Sequence, residues 1–178
     1  MIAPTIVTER LILSAPQASD YEEFAATWAD KDVVKYVGGQ VRDPQDSWLT
    51  LMRNAGFWDL LGFGPWTVRE RRTGDFVGDT GFADYRRGMV PNISGFPEAG
   101  WVFAKRHWGK GYATEALTAT HDWLDSQNPG RSVCIIEPDH AASIRVAQKI
   151  GYRDFISSDY KGTPMLIFER FSSETGKS

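Results

Sequence analysis

Apolar residues along this chain switch from alternating to helical spacing and back, and the switches mark its elements. Leu11 and Leu13 alternate with neighbours across Thr8 to Ser14, which reads as a first strand ended by Pro16. Ser19 or Asp20 can cap a helix to about Ala29, with Tyr21, Phe24 and Trp28 on one face and acidic residues in its first turn, where the dipole favours them. Lys31 to Val37 reads as a short second helical turn stopped by Gly38-Gly39. Asp43-Pro44 opens a third helix with a predicted apolar stripe of Trp48, Leu51, Met52 and Ala55. Two strands follow, Gly64 to Glu70 and Asp75 to Tyr85, joined by the turn Arg72-Thr73-Gly74. Gly78 and Gly81 in the second predict a bulge or a close neighbour. Beyond the loop Gly88 to Gly95, Ala99 to Phe103 is a fourth strand.

Helical spacing returns from Gly111 to about Ser126, through Ala113, Ala116, Leu117, Thr120, Trp123 and Leu124, and ends at Asn128-Pro129-Gly130. Ser132 to Ile136 is a fifth strand, apolar enough to be buried on both faces. A helix from about Ala142 to Ile150 stops at Gly151. Arg153 to Ser158 and Met165 to Phe171 close the sheet around Lys161-Gly162, and Ser172 to Ser178 reads as a frayed tail. The order predicts one α/β domain over residues 1–178 with a mixed sheet, its core about 8–171.

The 178 residues suffice for a sizeable core, and 42% hydrophobic with 24% charged residues is ordinary for a globular protein. A net charge of -3 argues against a general nucleic-acid binder. The lone Cys134, inside an apolar run, reads as a small buried hydrophobe and fits a reducing compartment. The N-terminus lacks a signal-peptide stretch and no apolar run approaches a membrane span, so a cytoplasmic location is the default expectation. His and carboxylate positions show no metal-ligand spacing, and no metal is expected.

Chemistry concentrates between Phe96 and Leu117. A strand runs into Lys105-Arg106-His107, then Gly109-Lys110-Gly111, then a helix start. Glycines let the backbone approach closely, and the first amides of a helix lack partners of their own, which favours phosphate. An ordinary strand-to-helix turn is the other reading. A Walker loop fails at Ala104 and at Gly111, and the dinucleotide fingerprint fails at Thr114.

Arg106-His107-Trp108-Gly109-Lys110-Gly111 resembles the Arg/Gln-x-x-Gly-x-Gly/Ala signature of the GNAT superfamily of acyl-CoA-dependent N-acetyltransferases. The resemblance runs from about Thr8 to Phe171. Thr8-Glu9-Arg10-Leu11-Ile12-Leu13 is similar to the opening of the branch that acetylates ribosomal-protein N-termini. Glu98-Ala99-Gly100-Trp101, the segment from Gly109 to Ala116, and Ala142 to Tyr152 resemble further motifs of that branch.

The resemblance implies the GNAT fold: a mostly antiparallel sheet, flanked by helices and splayed between the fourth and fifth strands. It implies acetyl-CoA as cosubstrate, with pantetheine along Val102, Phe103 and Ala104. Its diphosphate would lie on the amides of His107, Trp108, Gly109, Lys110, Gly111, Tyr112 and Ala113, on to Thr114, with charge from Arg106 and Lys110. Glu98 matches the family's general base, and an amide near Val102 or Phe103 its oxyanion donor. Many family members carry a tyrosine acid where Ala147 stands. Ser143 matches the serine used instead, and His140 replaces a cofactor-contacting Asn and can titrate near neutrality. The implied reaction is acetyl transfer to a primary amine, either a protein N-terminus or a small molecule, by a monomer or homodimer. A non-catalytic acyl-CoA-binding module is the alternative, and it would dispense with Glu98. Trp28, Trp48, Trp58 and Trp66 either line an acceptor pocket or belong to the core, the core being favoured for most of them.

Overall fold

The computed structural model describes residues 3–127 and 129–172. Its strands are β1 (Ile6–Val7), β2 (Leu11–Ser14), β3 (Pro65–Glu70), β4 (Phe76–Ala83), β5 (Glu98–Phe103), β6 (Arg131–Ile136), β7 (Arg153–Tyr160) and β8 (Thr163–Phe171). They form one sheet in the order β1-β2-β3-β4-β5-β6-β8-β7, antiparallel at every junction except β5 with β6. This is the mixed α/β sheet that the residue pattern predicted. β1 was not predicted, since two residues are too short to carry a period. The predicted fourth and fifth strands are therefore β5 and β6.

The helices are α1 (Tyr21–Trp28), α2 (Lys31–Val34), α3 (Pro44–Leu61), α4 (Tyr112–Gln127) and α5 (Ala141–Ile150). Asp43 caps α3 by accepting from Asp46 N, Pro44 sits where its missing N–H costs nothing, and Gly62 ends the helix at φ 74°. Side chains of β5 alternate between two cores. Val102 joins Phe24, Trp28, Val34, Leu51 and Phe76 under α1–α3. Ala99 and Phe103 join Phe82, Ala116 and Leu124 on the α4 face.

The apolar stripe predicted for α3 is rotated. Its buried residues are Ser47, Thr50, Leu51, Asn54 and Trp58, while Trp48 and Met52 stay 39% and 38% exposed. The helix turns a partly polar edge inward, which an apolar count cannot detect. Trp28, Trp58 and Trp66 are core, and Trp48 rests edge-on against Tyr21 at the surface. Gly78 has the close neighbour expected of it: a Cβ there would meet the Val102 carbonyl oxygen at 2.2 Å. Of the expected tail, Ser172 is tied to Gly130 by hydrogen bonds in both directions, and residues 173–178 lie outside the described residues. No helix among the described residues is long and apolar enough to cross a membrane.

Candidate active site

β5 and β6 share one register pair, Glu98 with Val133, and one flanking bond from Val133 N to Pro97 O (3.0 Å). Past that rung β6 stays with β8 over its whole length, and β5 stays with β4. The two parallel strands therefore part, and one edge of β5 is left without a strand. Backbone groups alternate along a strand, so only every second residue addresses that edge. Ala104 N donates to Val77 O (2.9 Å), and Val102 shares its phase in register with Asp79. Phe103 has the opposite phase, and its carbonyl accepts from Trp108 Nε1 (2.7 Å). The expectation of backbone pairing along Val102 to Ala104 narrows accordingly. The amides of Val102 and Ala104 are turned to β4, and that of Phe103 faces the gap.

The mouth of the gap is the glycine turn. His107 N and Trp108 N are spent inside it, on Ala104 O (2.9 Å) and Lys105 O (3.1 Å). Among the described residues no backbone amide of residues 109–114 finds an acceptor. Gly109 and Gly111 have φ of 74° and 80°, the left-handed region that aims successive N–H groups to one side. The start of α4 adds its dipole. The unpartnered amides begin at Gly109, whereas the set that the resemblance implied for a diphosphate starts at His107. Arg106 is partly committed, donating from Nη2 to Phe76 O (2.9 Å), while Lys110 is exposed. The His107 ring is buried, with neither nitrogen bonded among the described residues. Burial, then Arg106 and Lys110, hold its pKa below the usual value, so it packs as a neutral ring.

Two of the quoted motifs grip each other here. Thr8 Oγ1 donates to Glu115 Oε1 (2.6 Å), as does Arg10 N (2.8 Å), and Arg10 Nε donates to Glu115 Oε2 (2.7 Å). Arg10 Nη1 also reaches Lys110 O (2.8 Å). Burial would push the Glu115 carboxyl up, but these bonds outweigh it and hold it below the usual range. The N-terminal segment thus fixes the first turn of α4 as a neutralised unit.

Across the gap, Ser143 and His140 come together as a pair, Oγ to Nε2 at 3.2 Å. Trp101 Nε1 reaches over from β5 to donate to Ser143 Oγ (3.2 Å), and Tyr36 stacks on the His140 ring at 4.6 Å. Burial lowers the His140 pKa, which makes the ring a neutral hydrogen-bond partner at neutral pH.

The opposite face of β5 carries Glu98, Gly100 and Val102. Gly100 is exposed, with open space where a Cβ would stand. Glu98 is buried and held by a two-pronged fork: Arg87 Nε donates to both oxygens (3.0 and 2.9 Å) and Nη2 to Oε1 (2.8 Å). The expected general base is thus occupied by a guanidinium, because the 84–97 loop folds back over the strand that carries it. Sequence reasoning missed Arg87 and also Asp79, which stands opposite Val102. A charged residue inside a strand between Gly78 and Gly81 was the available signal. Burial pushes the Asp79 carboxyl up to about 7, against the pull of Arg42 and Arg53. No group of three or more His, Cys, Asp or Glu among the described residues is placed to hold a metal.

Residues 10–153 match the family model described as an acetyltransferase (GNAT) domain. YkkB of Bacillus subtilis (strain 168), itself uncharacterized, is 31% identical over 94% of this chain and 95% of its own. An acetyltransferase from Agrobacterium tumefaciens str. C58 superposes with a TM-score of 0.83 at 25% identity, over 97% of this chain and 96% of that one. RimL, a ribosomal L7/L12 alpha-N-protein acetyltransferase solved with coenzyme A, shares the fold at TM-score 0.75 and 15% identity, over 96% of this chain and 98% of its own.

Proposed function

The chain is a member of the GNAT acetyltransferase family, and from that premise we propose that it moves an acetyl group from acetyl-CoA to a primary amine entering over the α1–α3 face of the sheet. The observation that carries this reading is the single rung between β5 and β6, which opens a gap beside the unpartnered amides of residues 109–114. Those amides and Lys110 would hold the diphosphate. Acetyl-CoA, bound there, supplies the acetyl group as a thioester.

The Phe103 amide, directed into the gap, donates to the carbonyl oxygen as negative charge grows on it. The amine nitrogen forms the C–N bond with its lone pair while the C–S bond breaks and sulfur keeps the electron pair; the proton that nitrogen sheds ends on sulfur, and coenzyme A leaves as the free thiol. Ser143 hydrogen-bonds to that sulfur. Trp101 fills one Oγ lone pair, which leaves the Ser143 proton to be shared between His140 and the leaving group. Glu98, bound to Arg87, is assigned to anchoring the 84–97 loop at the junction, not to taking the proton. An α-amine, with a pKa near 8, is deprotonated at neutral pH for roughly 3 kcal/mol less than a lysine near 10.4. That favours a peptide N-terminus or an amino-acid-like amine over a lysine side chain.

Free-thiol release from acetyl-CoA with a panel of amines, with the product identified by mass, tests this reading. Thiol release that depends on the amine is expected. Tight acetyl-CoA binding with no turnover by any amine would instead favour the non-catalytic module.

A further inference from the structure

Asp79 is the one feature of the acceptor face that the transfer chemistry has not used. It stays partly open to solvent, yet its Oδ2 is sealed, and it accepts no hydrogen bond among the described residues. The Trp28 indole N–H points at it and pulls its pKa down, and has no other partner among the described residues. A carboxylate is rarely left this way, because a desolvated charge without a partner is costly.

Two cations act on Asp79 from α3 and the segment before it, and neither touches it. Arg42 is half-buried, stacks 3.4 Å over the Trp28 ring and spends Nη1 on Thr50 Oγ1 (2.8 Å). Arg53 lies 5.3 Å over the Tyr85 ring. Among the described residues, neither arginine pairs with a carboxylate. Both line a cavity of about 370 Å³ with Asp46, Leu49 and Thr50. The other charged or titratable groups here are Tyr85 and Glu98, the latter already neutralised by Arg87, and Asp46 at the exposed rim. Arg42 and Arg53 thus face one opening without a carboxylate partner, and Asp79, which does not itself line that opening, stands within their electrostatic reach.

We propose that this opening is the acceptor pocket and takes an amine that also carries an anionic group, the ammonium meeting Asp79 and the anion meeting Arg42 and Arg53. The proposal rests on the acetyl-transfer reading and adds the substrate class. The bound ammonium gives one proton to Asp79 and becomes the nucleophile, and the exposed Gly100 leaves room for it to reach the gap. Above about pH 7 Asp79 is ionised and can do both tasks; below that it is protonated and can do neither.

The test uses two matched series with acetyl-CoA. One sets ω-amino acids against alkylamines of equal length. The other sets Ala-Glu-Ala amide against Ala-Gln-Ala amide. The anionic member of a pair should show a KM about tenfold lower. Arg53→Gln, at an exposed position, should erase that gap, with acetyl-CoA still bound. Asp79→Asn should lower kcat/KM about a hundredfold for both members and remove the acid limb near pH 7, with acetyl-CoA still bound. A preference confined to the peptides identifies a polypeptide terminus as the source, and one confined to the ω-amino acids a small molecule. Equal use of neutral and anionic amines by the unmodified enzyme, or a preference that survives Arg53→Gln, overturns the proposal while the transferase stands. No turnover of any amine removes the transferase reading and this one with it.

Discussion

The two sides of β5 are built from different material. Toward β6 the site is backbone: an unpaired strand edge, a run of free amides and two glycines at positive φ. Apart from Ser143 and His140 across the gap, side chains there hold the frame, as Thr8 and Arg10 do through Glu115. Toward α3 the site is side chain: Asp79 from β4, Arg42 and Arg53 from around α3, Glu98 with Arg87 from the following loop. A backbone site tolerates changes of residue but not of conformation. A side-chain site keeps its fold through substitution and changes what it accepts. The backbone of the donor half should therefore fail by losing structure or affinity, and the side chains of the acceptor half, with Ser143 across the gap, by losing rate or selectivity.

The largest effect should come from Gly78→Ala. Its Cβ would meet the backbone of β5 across the junction, at 2.2 Å from Val102 O and 2.8 Å from Phe103 Cα. A loss of about 4 kcal/mol in unfolding free energy, read from the denaturant midpoint, is expected. A loss below about 1 kcal/mol would mean that the junction can move apart. Next, Glu115→Ala strands Thr8 and Arg10 and should loosen acetyl-CoA binding about tenfold by calorimetry while leaving the acceptor KM alone. A change in acceptor KM alone would join the two halves that the geometry separates. Ser143→Ala should cut kcat about tenfold at constant acetyl-CoA Kd, measured under saturation.

The smallest effect is on stability, and its sign is the informative part. Folding raises the Asp79 pKa from 3.8 to about 7, so the native chain binds more protons than the unfolded one between those values. Stability referable to Asp79 is full below about pH 4 and is lost as pH rises through 7. Asp79→Asn removes that penalty. Its melting temperature should exceed the parent's by about 4 °C at pH 8 and match it at pH 4. A variant at once more heat-stable and slower is what a charge kept for function, at a cost in stability, should give.

The donor half was legible because local sequence sets local conformation. A strand, Gly109-Lys110-Gly111 and a helix start lie together in sequence and form the amide nest that Thr8 and Arg10 only brace. Even there, the phase of the pleat was lost: Val102 and Ala104 turn their amides to β4, and the Phe103 amide faces the gap. Ser143 and His140, three residues apart at a helix start, were also within reach of sequence.

The acceptor half was not legible. Glu98 stood out in the sequence, but Arg87 comes back to it over a loop whose path no periodicity encodes, and donates to both of its oxygens. The polar inward edge of α3 and the meeting of Asp79 with Arg42 and Arg53 depend on how separate elements pack. Sequence alone determined nearly all the elements, their order and the glycine turn, because periodicity and glycine conformation are short-range properties. Tertiary structure decided where the sheet parts and which charges are left without partners, because both follow from burial and long-range pairing.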